Sequence, residues 1–220
     1  MARPRSSGYD GQREQILAAA AALFARQGYT ASTMNQVAAA CGVSKATLYH
    51  YVRDKHALLA QIARGHVERL QALVAEVAVL GLAPETHLRV LIERFTAAYA
   101  SAQHEHRVLT EDVKFLDVAE RDAVVEGQRQ VVAAFARAVA AVRPDLAEAE
   151  LAKPMAMLLF GMINWTFTWM RPDGPLTHQA LAPIVSALFF GGLPAVAAPS
   201  SVPRGVPRTR ASRARVGAAA

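Results

Sequence analysis

Cysteine is nearly absent from this 220-residue chain, with Cys41 as its one representative. A single thiol excludes an internal disulfide framework and any zinc site made of cysteines. Nothing beside Cys41 in the sequence would lower a thiol pKa, so packing is its expected role. Charged residues are few, at 19%. Glycine and proline gather towards the two ends, which favours an all-helical protein over a β-sandwich. There is no internal repeat, glycine-rich phosphate loop, carboxylate pair or nucleophile–base set, so no enzyme and no cofactor are expected. The opening MARPRSSGYDGQ holds no apolar stretch of the signal-peptide kind, and a cytoplasmic protein is expected. Residues 155–170 lack charge, but the run is shorter than the ~20 residues a membrane span needs. Asn164, Thr166 and Thr168 also interrupt it, so it reads as a core and interface helix. What the chain has in quantity is apolar residues, 53%, enough to bury a sizeable core.

The net charge of +6 is unevenly spread. Residues 1–65 carry eight Lys or Arg against three acids, residues 66–198 eleven against fifteen, and residues 199–220 five arginines and no acid. A basic first quarter on a mildly acidic body suits a short segment that meets a polyanion and a body that does not. A merely solvated basic face would carry the same charge, so motifs must decide.

The first helix is expected from about Gly11 to Gln27, with Ile16, Leu17, Ala20, Leu23 and Phe24 as one buried stripe and Gly28 as its stop. A second, shorter helix starts near its N-cap Thr33, with Met34, Val37, Ala38 and Cys41 inside. Gly42 breaks it, and Ser44 caps a third helix to about Tyr51 in which Leu48 is the obvious core residue. Two short helices joined by a few residues containing glycine form a helix-turn-helix, whose second helix fits the major groove. That face presents Lys45, Thr47 and His50 to base edges, and Tyr49 and Lys55 to phosphates.

The stretch STMNQVAAACGVSKATLYHYVRDKHALL, residues 32–59, resembles the DNA-binding segment of the tetracycline-repressor (TetR) family of bacterial regulators. The matching positions are Thr33, Val37-Ala38, the turn Cys41-Gly42-Val43-Ser44, Thr47-Leu48-Tyr49, Tyr51 and Asp54-Lys55 before Leu58-Leu59. Ala46 and Val52 stand where the family usually has glycine and phenylalanine. The resemblance implies an all-α fold, an N-terminal three-helix DNA-binding domain followed by a larger helical domain for ligand binding and dimerisation. The expected division is a basic arm at 1–9, the DNA-binding domain at 10–53, the effector and dimer domain at 54–196, and a basic, disordered tail at 197–220. It further implies a homodimer on a near-palindromic operator. Phosphate contacts are expected from Thr33, Tyr49, Tyr51 and Lys55, and base reading from Ser44, Lys45, Thr47 and His50, with Arg3 and Arg5 as added arm contacts.

In the body, helices are expected over about 54–80, 84–101, 104–115, 119–142, 147–170 and 176–191. By the resemblance, the last two build a four-helix bundle with their copies in a second subunit. The run from Gly161 to Leu176, with Asn164-Trp165, Trp169 and Arg171-Pro172, is similar to a branch of the family that answers to acyl-CoA thioesters. A repressor of a catabolic operon released by an acyl-CoA is therefore expected. The expected pocket residues, assigned by apolar character and helix position, are Phe95, Tyr99, Phe115, Met162, Trp165 and Trp169. His104 and His106 stand two apart, on different sides of a helix, and no metal site is expected of them. Two other readings stay open at this point. One is a drug-responsive repressor of an efflux gene with a greasy pocket. The other is a sequence-independent nucleic-acid-associated structural protein whose basic tail dominates binding.

Overall fold

The computed structural model describes residues 7–170 and 174–197. The arm residues Arg3 and Arg5, the tail 198–220 and Arg171–Asp173 of the expected helix break lie outside the described residues. Helices α1 to α3 span Ser7–Gln27, Met34–Ala40 and Lys45–Tyr51. The body comprises α4 (Lys55–Ala78), α5 (Pro84–Ser101), α6 (Gln103–Glu111), α7 (Val118–Val142), α8 (Pro144–Glu148), α9 (Ala152–Asn164), α10 (Thr166–Trp169) and α11 (His178–Gly192). The described residues contain no strand.

Local chemistry sets most of these boundaries. Thr33 and Gln36 form a reciprocal capping box at α2, Ser44 Oγ accepts from the Thr47 N–H, and Asp54 and Asp117 cap α4 and α7. Gly28 and Gly42 adopt left-handed backbone at the ends of α1 and α2, with φ of 86° and 65°. Helix α1 starts at Ser7, ahead of the expected Gly11, so the last residues assigned to an arm form its first turn.

Two expected helices are broken in the structure. The span 104–115 ends at Glu111 and passes into a 3-10 turn, Val113–Phe115. The span 147–170 divides into α8, α9 and α10. Glu150, at φ 58°, turns the chain between α8 and α9. At the α9–α10 junction the Thr168 N–H donates to the Trp165 carbonyl, and the Asn164 carbonyl instead accepts from His106 Nε2 at 3.2 Å. A tertiary bond thus takes over a carbonyl that the helix would have used.

The interior consists of two apolar clusters. One packs Ile16, Phe24, Val37 and Leu48 against Leu58, Leu59 and Ile62 of α4, together with Val108, Leu109, Leu116 and Val124 from further along the chain. The other gathers Leu70, Leu88, Phe95, Phe135, Leu146, Leu159 and Phe160 from the body. Helix α4 runs through both. Helices α4 and α7 approach closely at Gly127, where a Cβ would lie 2.5 Å from Val67 Cγ1. Helices α9 to α11 and their junctions leave Met157, Leu158, Trp165, Trp169, Ile184 and Leu188 each 44% exposed or more. No helix among the described residues is long and apolar enough to cross a membrane.

Gly127→Ala should be destabilising in spite of alanine's higher helix propensity, because Val67 is stiff at its β-branch and must move. A loss of about 1–2 kcal/mol is expected in urea unfolding of the purified protein.

Candidate nucleic-acid interface and effector site

Helix α3 is held to the core by Leu48, which is fully buried, and this fixes which side chains face out. Ser44, Lys45, Thr47, Tyr49 and His50 are all exposed on that face. Ser44 Oγ and Thr47 Oγ1 lie 2.7 Å apart, and Lys45 Nζ stands 6.0 Å from the centre of the Tyr49 ring. This is a compact group of donors and acceptors around one short helix. Thr33 sits exposed at the start of α2, its hydroxyl engaged with Gln36. Tyr51 is half-buried, its ring stacked on Tyr9 with centroids 4.7 Å apart, and His50 meets both rings edge-on. Tyr9, an aromatic within the expected arm, is a residue that sequence reasoning passed over.

Lys55 is placed differently from the expected phosphate contact. Its ammonium donates to the carbonyls of Tyr29, Thr30 and Ser32 at 2.9, 3.3 and 2.9 Å, and it lies 4.4 Å from the Tyr29 ring centre. All three ammonium hydrogens are therefore used inside the protein. They tie the α1–α2 loop to the first turn of α4.

The same loop is gripped from the body. Phe115, expected in the pocket, stacks on Tyr29 at 5.4 Å, and Tyr29 meets Phe24 edge-on. His56 Nε2 accepts from the Asp117 backbone N–H at 3.3 Å, while Nδ1 stands 3.4 Å from Glu120 Oε2. The ligand atoms of His56, Asp117 and Glu120 lie within 4.8 Å of one another, close enough to consider a shared cation. Nε2 is taken by the Asp117 N–H, Glu120 Oε2 is buried without a hydrogen-bond partner, and the arrangement reads as a clasp between α4 and α7.

An open groove of about 430 Å³ runs between α4 and α5, bordered by Leu70, Leu73, Ala98, Arg69 and Arg94. Its wall includes His66, which is 1% exposed. His66 Nε2 lies 3.3 Å from His106 Nδ1, and His106 Nε2 bonds the Asn164 carbonyl. Tyr99 stacks on His106 at 4.1 Å, and Phe167 meets it edge-on. Burial, with His106 and Arg69 nearby, lowers the His66 pKa to about 3. Burial likewise lowers His106 to about 4, against the opposing effect of its bond to Asn164. Both rings are neutral near pH 7. His66 Nδ1 and Asn164 Oδ1 are buried without partners.

Of the six expected pocket residues, the structure brings Phe95 and Tyr99 together, with ring centroids 6.1 Å apart. Phe95 is sealed in the core against Phe135 and Phe160, and Met162 packs on that same cluster. Trp165 and Trp169 face outward on the apolar side of α9 and α10. Sequence reasoning missed His66 and weighed His106 only as a metal ligand. A signal for His66 was present: it continues the apolar stripe of Ile62, Ala63, Val67 and Leu70, where a polar residue must find a buried partner.

Residues 16–62 match the family described as bacterial regulatory proteins, tetR family, and residues 81–193 match the tetracyclin repressor-like C-terminal domain. The chain is 25% identical over 191 residues to the HTH-type transcriptional repressor KstR2 of Rhodococcus jostii, covering 86% of this chain and 94% of that protein. A TetR-family transcriptional regulator from Bordetella parapertussis is 35% identical, with a TM-score of 0.77 over 84% of this chain and 97% of its own. AibR, solved in complex with isovaleryl coenzyme A and operator DNA, shares the fold at a TM-score of 0.68 and 23% identity. That match spans 80% of this chain and 97% of AibR.

Lys55→Met should lower thermal stability by an amount equivalent to about 1–2 kcal/mol, because three carbonyls lose their donor. The histidine pair predicts an acid-sensitive fold. A histidine in the unfolded chain titrates near 6.5, so between that value and the lowered folded values the unfolded state binds more protons. Stability is complete above about pH 7 and falls towards pH 4, by about 2 kcal/mol per ring between pH 7 and pH 5. Urea midpoints at those two values should differ less in His66→Phe than in the unaltered protein.

Proposed function

Because the chain belongs to the TetR family of bacterial regulatory proteins, we propose that it is a dimeric transcriptional repressor released from its operator by an acyl-CoA thioester. The observation that carries the DNA-binding part is the outward face of α3, where Ser44, Lys45, Thr47, Tyr49 and His50 surround a helix anchored by Leu48. Lys45, Thr47, His50 and Ser44 read base edges, while Thr33, Tyr49 and Tyr51 meet phosphates. Lys55 acts through the loop that it holds. The exposed apolar side of α9 to α11 is the dimer face, and a two-fold dimer calls for a near-palindromic site.

Three observations support the effector reading. The groove between α4 and α5 carries Arg69 and Arg94 at its border, loosely paired with Glu105 and with Glu76 of the groove wall at 4.0 and 3.9 Å, cations suited to exchange those partners for the phosphates of a coenzyme A moiety. Its wall touches His106 through His66, and His106 lies on α6, which packs on α1. Isovaleryl coenzyme A and operator DNA are the two ligands named for AibR. An effector seated over His66 thus bears on α6, and α6 on the DNA-binding end. It favours a spacing of recognition helices that no longer matches successive major grooves. A hundredfold loss of DNA affinity takes ~2.7 kcal/mol of coupling.

The test is fluorescence anisotropy on near-palindromic DNA upstream of the gene's own start, at fixed salt, titrated with a panel of acyl-CoAs. Specific binding that one thioester reverses is the expected result. Binding that no thioester disturbs would overturn the effector reading and leave the regulator. Lys45→Ala should weaken binding to the operator more than binding to random DNA. Lys55→Met should leave the salt slope unchanged.

A further inference from the structure

The hydrogen-bond relay under the groove has only one consistent polarity. The Asn164 carbonyl can only accept, so His106 Nε2, 3.2 Å away, carries the hydrogen. A neutral ring has one N–H, so His106 Nδ1 is a lone pair. His66 Nε2, 3.3 Å from it, must then be the donor. The remaining nitrogen, His66 Nδ1, is therefore also a lone pair. It is buried, has no partner, and belongs to a residue on the groove wall. Asn164 Oδ1, also buried without a partner, is likewise an acceptor. A backbone carbonyl of α9 thus dictates, through two imidazoles, that the buried His66 Nδ1 can only accept.

We infer that the groove selects an effector that brings a hydroxyl group to His66 Nδ1, and that it discriminates alcohols from the corresponding ketones. This rests on the reading of the groove as the effector site. An alcohol satisfies the buried lone pair by donating. A ketone offers only an acceptor, and two lone pairs would face each other. Accepting a ketone would require turning both tautomers around, which leaves His106 Nε2 as a lone pair against the Asn164 carbonyl. Protonating a ring instead is opposed by the burial of both. In an acyl-CoA the hydroxyl would lie on the acyl chain, marking an alcohol-level intermediate of the kind that an alcohol dehydrogenase consumes. In a free ligand it would be a simple apolar alcohol.

Calorimetric titration of the full chain distinguishes these sources. The probes are 3-hydroxyoctanoyl-CoA, 3-oxooctanoyl-CoA, 2-octanol and 2-octanone. The hydroxyacyl thioester should bind about tenfold or more tightly than the oxo form, the difference expected when one buried polar group is left unpaired. In His66→Phe the preference should disappear while thioester binding remains. If only the free pair binds, and the alcohol wins, the donor rule holds and the thioester reading falls. Thioesters that bind equally, or with the oxo form ahead, overturn the donor rule and leave the effector reading intact. Failure of all four probes to bind overturns the inference. The tautomers give an independent check by nitrogen NMR: both rings should be protonated at Nε2, and protonation of His66 at Nδ1 overturns the proposal whatever binds.

Discussion

Helix α4 lies in both apolar interiors at once. Leu58, Leu59 and Ile62 close the core beneath the helix-turn-helix, and Leu70 and Val77 enter the core of the body. One rigid helix spans the distance, so a change at its middle is carried to both ends. The middle is where its environment is least ordinary. Val67 presses against the bare Cα of Gly127, and one turn away from the apolar contacts His66 turns a polar ring into the interior.

The DNA-binding end does not complete its own core. Val108, Leu109, Leu116 and Val124 supply part of it from α6, the 3-10 turn region and α7. Polar and aromatic contacts reinforce this end: Lys55 on three loop carbonyls, the Phe115 ring on Tyr29, and His56 between Asp117 and Glu120. Each of these ties a segment of the first quarter to a segment over twenty residues away. A small displacement of α6 therefore has a physical route to the recognition helix. His106 stands on α6 itself, one hydrogen bond from the wall of the groove.

Much of this was legible in the residues. Caps at Thr33 and Ser44, stops at Gly28 and Gly42, and the buried stripe of α1 are local events, governed by backbone valence and helical period. They placed the first three helices and the exposed face of α3. The pocket was much less legible. Apolar character alone could not say that Phe95 would be sealed in the core, that Trp165 and Trp169 would face outward, or that Phe115 would cross to Tyr29. An aromatic residue on a helix needs a neighbour, and the period of one helix does not name it.

The amino-acid sequence by itself determined the all-helical class, the helix-turn-helix and the composition of its outward face, because each depends on residues within a turn or two of one another. Tertiary structure alone decided that Lys55 turns inward, that the long helix expected over 147–170 breaks at Trp165, and that two histidines forty residues apart share a hydrogen bond. Those outcomes depend on which carbonyl is left without its helical partner and which side chain arrives to bond it. Most buried polar groups find a partner wherever the fold brings them, and for Lys55, His66 and His106 those partners are distant in the chain.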